Sequence, residues 1–227
     1  MARKSAARSA LLAGASGLVG RELLPLLLQP DAGYAQVHVL LRRPLPDLLR
    51  DPRLVVHGDV DFGALPALPP IDDAFIALGT TIKVAGSQAA FRAVDFDAVV
   101  NTAQAARAAG ARRIAIVSAL GASTDSAVFY NRVKGEMQDA VAALGYECVL
   151  FAQPSLLVGD RESLGQPARP GEVWATRLLG PIMGLVPASV RPIQARQVAQ
   201  AMLVALRDAK AGVRVLSSAQ MQEMVPR

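Results

Sequence analysis

Three side chains have the types and the spacing to move a proton at a carbon–oxygen bond. Tyr130 and Lys134 stand four residues apart in Tyr130-Asn131-Arg132-Val133-Lys134, so on a helix they share one face about one turn apart. A free phenol titrates at about 10 and is a poor base at neutral pH. An ammonium group one turn away stabilises the phenolate and makes the pair useful. Ser118 precedes Tyr130 by twelve positions at the end of an apolar run, where its hydroxyl is placed to hydrogen-bond a reacting carbonyl or alcohol. Tyr-x-x-x-Lys is common by chance, and its weight here comes from that serine and from the frame around it.

Hydride chemistry also needs a carrier. Gly14-Ala15-Ser16-Gly17-Leu18-Val19-Gly20 follows the first predicted strand and opens the first predicted helix. Glycine at these places permits a tight turn, close approach of backbone to a pyrophosphate and close helix packing, while the helix start offers free N–H donors. A dinucleotide fold normally ends its second strand on an acid that holds the adenosine ribose hydroxyls. Here Val37–Leu41 runs into Arg42-Arg43, two guanidinium groups that match a 2′-phosphate and favour NADP(H) over NAD(H). A solvated basic loop is the plain alternative. Asp59, after the third strand, is placed to contact adenine, and Leu78, Gly79 and Thr80, after the fourth, let backbone approach the middle of the cofactor.

The elements that must hold these residues are legible as apolar runs of strand length alternating with helix-length segments, the pattern of βαβ units. Strands are predicted at Ser9–Ala13, Val37–Leu41, Leu54–His57, Asp73–Leu78, Arg113–Ser118 and Glu147–Phe151, with helices starting near Gly17, Ser87 and Asn131. The fold class that follows is α/β, a Rossmann-type doubly wound parallel sheet with a small C-terminal cap. Residues 1–227 form a single NAD(P)-binding domain in this reading, with 154–227 contributing the cap on the substrate side. That segment holds a polar Pro/Gly-rich loop, a helical stretch Val173–Val186 around Trp174, a helix Ala195–Arg207 and a strand Val213–Leu216.

Composition narrows the function classes. The chain has 227 residues, 52% hydrophobic and 19% charged, enough to bury a full core. One cysteine and two histidines exclude a disulfide framework and a Cys/His metal cluster, so no metal site is expected. Mean hydropathy is +0.31, yet no uncharged apolar run reaches the roughly 18 residues of a spanning helix, so no membrane is expected. Net charge is +5, but the basic residues are scattered and aromatics are 4%, which argues against nucleic acid. No targeting signal is assigned, and the expected location is cytoplasmic. His38, His57 and Cys148 read as packed strand residues, and Asp95 and Asp97 as carboxylates flanking a helix start, where the dipole favours them.

With GASGLVG, LLRRP, ALGTTIKVAGSQAAF, VSALGAS and YNRVKGEM in order, the sequence resembles the short-chain dehydrogenase/reductase superfamily. Within it the sequence is most similar to the atypical branch of the HIV Tat-interacting oxidoreductase-like family and its bacterial relatives. The resemblance implies about seven parallel strands and bound NADPH. It implies that Ser16, Gly17, Leu18 and Val19 cradle the pyrophosphate and that Leu78 and Gly79 border the ribose and nicotinamide side. It further gives Tyr130 the proton transfer, Lys134 the nicotinamide ribose, Leu157 the packing of the nicotinamide, and Arg169 a place in a loop over the pocket. Two positions depart from the family pattern: Gln153 replaces the usual Arg, and Asp95 replaces an Asn. The expected activity is NADP(H)-dependent oxidoreduction of a small carbonyl or alcohol through Ser118, Tyr130 and Lys134. The alternative is a non-catalytic NADP(H)-sensing or protein-interaction module, and a homodimer is compatible with either.

Overall fold

The computed structural model describes residues 8–159, 190–208 and 210–225. Seven strands form one parallel sheet in the order β3-β2-β1-β4-β5-β6-β9. They are β1 (Arg8–Ala13), β2 (Tyr34–Leu40), β3 (Leu54–His57), β4 (Asp73–Ile76), β5 (Arg113–Val117), β6 (Cys148–Gln153) and β9 (Gly212–Ser217). Two short strands, β7 (Leu157–Val158) and β8 (Ile193–Gln194), pair separately. The chain leaves β1 in one direction and β4 in the other, so the carboxyl ends of these neighbours border the crevice where doubly wound sheets bind ligands.

Side-chain alternation along the strands feeds two cores. Leu12, Phe75 and Leu150 join α1 (Leu18–Leu27) and α6 (Ala195–Arg207) on one face, while Leu11, Ile76 and Phe151 meet α4 (Ala98–Ala108) and α5 (Phe129–Ala142) on the other. Burial on both faces is the reason the strands read as nearly continuous apolar runs. The expected strand Val37–Leu41 starts earlier, at Tyr34, which pairs with Arg8. The expected strand Asp73–Leu78 ends at Ile76; Ala77 still donates its N–H to Ala13 at 2.8 Å before the chain diverges.

After β4 come α2 (Ile82–Ala85) and α3 (Gln88–Arg92), each capped by the residue before it. Thr81 Oγ1 accepts from Val84 N–H and Ser87 Oγ from Ala90 N–H. Between α3 and α4 the helix continues through a π turn, Ala93–Asp97, a feature often found at functional sites. The predicted helix Ala195–Arg207 is α6, and the predicted strand Val213–Leu216 is the middle of β9, which pairs with β6 in the main sheet. A last helix, α7 (Ser218–Met224), follows. The 154–227 segment thus sends α6 and β9 into the main layers. The predicted stretch Val173–Val186, with Trp174, and Arg169 lie outside the described residues.

Candidate active site

The turn after β1 is built by close packing. Gly14 has φ +93°, and a Cβ there would sit 2.5 Å from the Ala77 carbonyl; a Cβ on Gly20 would run into the Gly14 carbonyl oxygen. These glycines press α1 against the sheet. The N-cap of α1 is Gly17, which has no side chain to cap the first turn, so among the described residues the amide donors there stay available. Gly17, Leu18 and Val19 line a cavity of about 720 Å³, a size usual for a small-molecule site.

The same cavity is lined by Leu78, Gly79 and Thr80 from the end of β4, by Ser118, Tyr130 and Lys134, and by Leu157 of β7. Of the remaining expected site residues, Gly14, Ser16 and Gly20 are outside the lining, Ser16 being exposed. Arg42 and Arg43 are exposed at the carboxyl end of β2. Asp59, exposed after β3, adopts a left-handed φ of 53°. These three lie along the same edge of the sheet but not on the cavity wall.

Tyr130 falls in the first turn of α5, its ring 5.2 Å from that of the buried Phe91. Gly135 lets the Ser118–Val128 loop lie directly on α5, because a Cβ there would meet the Ser123 carbonyl carbon. Ser118 is buried just beyond β5, its N–H donating to Ala152 at 2.7 Å. Gln138 Nε2 donates to its Oγ at 2.5 Å.

Asp95 corrects the sequence reading. Expected to flank a helix start, it lies inside the continuous helical run on the π turn, fully buried. Its Oδ2 accepts from Thr80 N–H at 2.8 Å, and its Oδ1 is 2.8 Å from Lys134 Nζ, with the two side chains 1% and 3% exposed. That contact is an ion pair by distance only, for Oδ1 has no aligned hydrogen-bond partner. Gly79 leaves room for the pair, since a Cβ there would be 3.3 Å from Oδ1. One signal was present in the sequence: Phe91, Asp95, Val99 and Ala103 recur every four residues, and all are fully buried. A carboxylate on such a stripe needs a buried cation. Among the described residues no group of three or more His, Cys, Asp or Glu could hold a metal, and no helix is long and apolar enough to cross a membrane.

Residues 14–147 match a family model described as NAD(P)H-binding. The mitochondrial protein FMP52 of Eremothecium gossypii is 31% identical over 96% of this chain and 97% of its own length. Rat protein HTATIP2 is 33% identical over 76% of this chain and 71% of its own. Among solved structures, gox2253 superposes with a TM-score of 0.67 at 20% identity, covering 92% of this chain and 69% of that one. DesIV, a dTDP-glucose 4,6-dehydratase from Streptomyces venezuelae with NAD bound, gives 0.67 at 18% identity, covering 95% and 79%. These two likenesses establish the Rossmann-type fold. The expected cytoplasmic location is corrected: FMP52 relatives from E. gossypii, Emericella nidulans and Aspergillus clavatus are mitochondrial by name. Location is a receptor-read address, and the expectation rested only on reading no targeting signal in the residues.

Proposed function

The chain belongs to the NAD(P)H-binding family, alongside the FMP52 and HTATIP2 proteins, and from that premise we propose that it is an NADP(H)-dependent oxidoreductase acting on a small carbonyl or alcohol. The observation that carries the reading is one cavity lined both by the uncapped start of α1 and by Ser118, Tyr130 and Lys134. An uncapped helix start suits a pyrophosphate. In this reading Ser16, Gly17, Leu18 and Val19 hold that group, Arg42 and Arg43 the 2′-phosphate, and Asp59 the adenine end. Leu78, Gly79 and Thr80 border the middle of the cofactor, and Leu157 packs the nicotinamide.

When bound, the nicotinamide supplies the hydride acceptor or donor. Tyr130 gives or takes the proton at the substrate oxygen, and Ser118 donates a hydrogen bond to that oxygen. Lys134 supplies positive charge beside the ribose and the phenol, with Asp95 fixing where its ammonium stands. The Phe91 ring holds the tyrosine ring in place.

The test combines binding and turnover. Purified protein should bind NADPH more tightly than NADH and consume NADPH with members of a panel of small aldehydes and ketones. Tyr130→Phe should lower turnover by about 10²–10⁴-fold with NADPH affinity nearly unchanged. Binding of NADPH with no consumption across the panel would replace this reading with a non-catalytic NADP(H) sensor.

A further inference from the structure

A hydrogen-bond chain ends on the cavity wall behind the three reacting side chains. Gln153, the last residue of β6, donates through Nε2 to Gln138 Oε1 at 3.4 Å. Gln138, one turn beyond Lys134 on α5 and only 9% exposed, donates through Nε2 to Ser118 Oγ at 2.5 Å. A serine hydroxyl has one proton and two lone pairs. Here one lone pair receives the Gln138 N–H; the amide nitrogen facing Ser118 cannot accept the serine proton, and the Gln138 oxygen is turned toward Gln153. Among the described residues the Ser118 proton has no other acceptor and is left for whatever occupies the cavity it lines. Chains of this kind polarise each bond by the next.

We infer that Gln138, backed by Gln153, is a positioning residue that makes Ser118 a one-way hydrogen-bond donor, so the group held there is an acceptor oxygen of carbonyl or alkoxide type. This role rests on the oxidoreductase reading for the identity of that oxygen, but the donor's direction can be measured without turnover. Glutamate at 138 imposes the opposite polarity: when ionised it only accepts, and it takes the serine proton. Gln153→Glu reverses the chain from its outer, part-buried end, since an acceptor at 153 turns the Gln138 amide around.

The experiment is difference infrared spectroscopy of carbonyl-labelled acetophenone bound to the full chain with NADP⁺, which cannot reduce it. In the wild type the carbonyl stretch should fall to lower frequency at all pH values from about 5 to about 9. Ser118→Ala should abolish the part of the shift that Ser118 supplies. Gln138→Glu should lose the same part at the alkaline end and regain it as the new carboxyl protonates and donates, and Gln153→Glu should show the same loss if Gln138→Glu fails to fold. With NADPH, Gln138→Glu should lower kcat about a hundredfold at alkaline pH with the KM for NADPH unchanged. It should add nothing to Ser118→Ala. A wild-type shift retained at every pH in Gln138→Glu and Gln153→Glu, or additive losses with Ser118→Ala, would overturn the relay. The expected shifts without any wild-type NADPH consumption would leave the relay standing and remove the oxidoreductase reading.

Discussion

Two fully buried carboxylates sit on opposite edges of the sheet, and they are satisfied very differently. Asp73 opens β4 at the amino edge, where β1, β2 and β5 also begin. Its Oδ2 accepts from the Tyr34 hydroxyl at 2.6 Å, Arg113 reaches both oxygens at 2.6 and 3.0 Å, and the Arg8 guanidinium pairs with it as well. Burial pushes the Tyr34 phenol up to about 12, with Arg8 pulling the other way, so the hydroxyl stays a donor. Asp95, beyond the carboxyl edge, has one backbone hydrogen bond and one unaligned ion pair, and it borders a cavity. A saturated buried charge ties strands together. One left with spare capacity beside a cavity is free to serve what enters it, the role proposed above for Asp95.

The same substitution in the two regions sharpens that contrast. Asp73→Asn should cost about 3–5 kcal/mol of unfolding free energy by denaturant titration, because two arginines lose their counter-charge in a buried cluster. NADPH affinity of the molecules that remain folded should not change. A fall in that affinity would break the separation of the two regions. Asp95→Asn keeps an acceptor for Thr80 N–H but leaves the buried Lys134 ammonium without its counter-charge, so it too should cost stability, about 3 kcal/mol. Its effect should appear in kcat, because the Lys134 ammonium loses the group that places it. A stability loss at 95 with kcat unchanged in the folded molecules would mean that both carboxylates are structural.

A smaller effect tests the outer end of the carboxyl edge. Arg42→Ala with Arg43→Ala should leave stability within about 0.5 kcal/mol, since both side chains are exposed. It should reduce the preference for NADPH over NADH by about tenfold in equilibrium binding. An unchanged preference would return these residues to the solvated basic loop. The parent preference should also shrink as salt is raised.

The smallest expected effect is a pH dependence away from both carboxylates. His38 Nδ1 lies 3.1 Å from His57 Nε2, and burial, with the His57 charge second, lowers the His38 pKa. Below about pH 6.5 the unfolded chain takes up a proton that the folded His38 resists. Stability is therefore full above that pH and falls as pH drops through the lowered folded value. Urea midpoints measured at about pH 7.5 and about pH 5.5 should differ less in His38→Leu than in the parent. An equal acid-side loss in both would assign the effect to other groups.

Much of this was legible locally. The glycine turn could be placed because a strand, a left-handed Gly14 and a helix start are consecutive in the chain. Tyr130 and Lys134 could be paired because helical spacing is a local property, and Ser118 joined them as the residue ending a predicted strand. Asp95 was misread, since a carboxylate near a helix start has an adequate local explanation in the helix dipole, while its real partner lies on another helix. Gln153 stood out only as a departure from the family pattern and Gln138 not at all; a glutamine becomes informative once its two amide ends have partners.

The sequence by itself determined the alternation of strands and helices, the two-faced core and the kind of turn that precedes α1. All three follow from side-chain period and backbone freedom within a few residues. Tertiary structure alone decided that Asp95 stands against Lys134, that Gln138 meets Ser118, and that Asp73 gathers Tyr34, Arg113 and Arg8. Each of these joins groups far apart in the chain. The desolvation that makes such pairs matter arises only when the sheet and helices have closed around them.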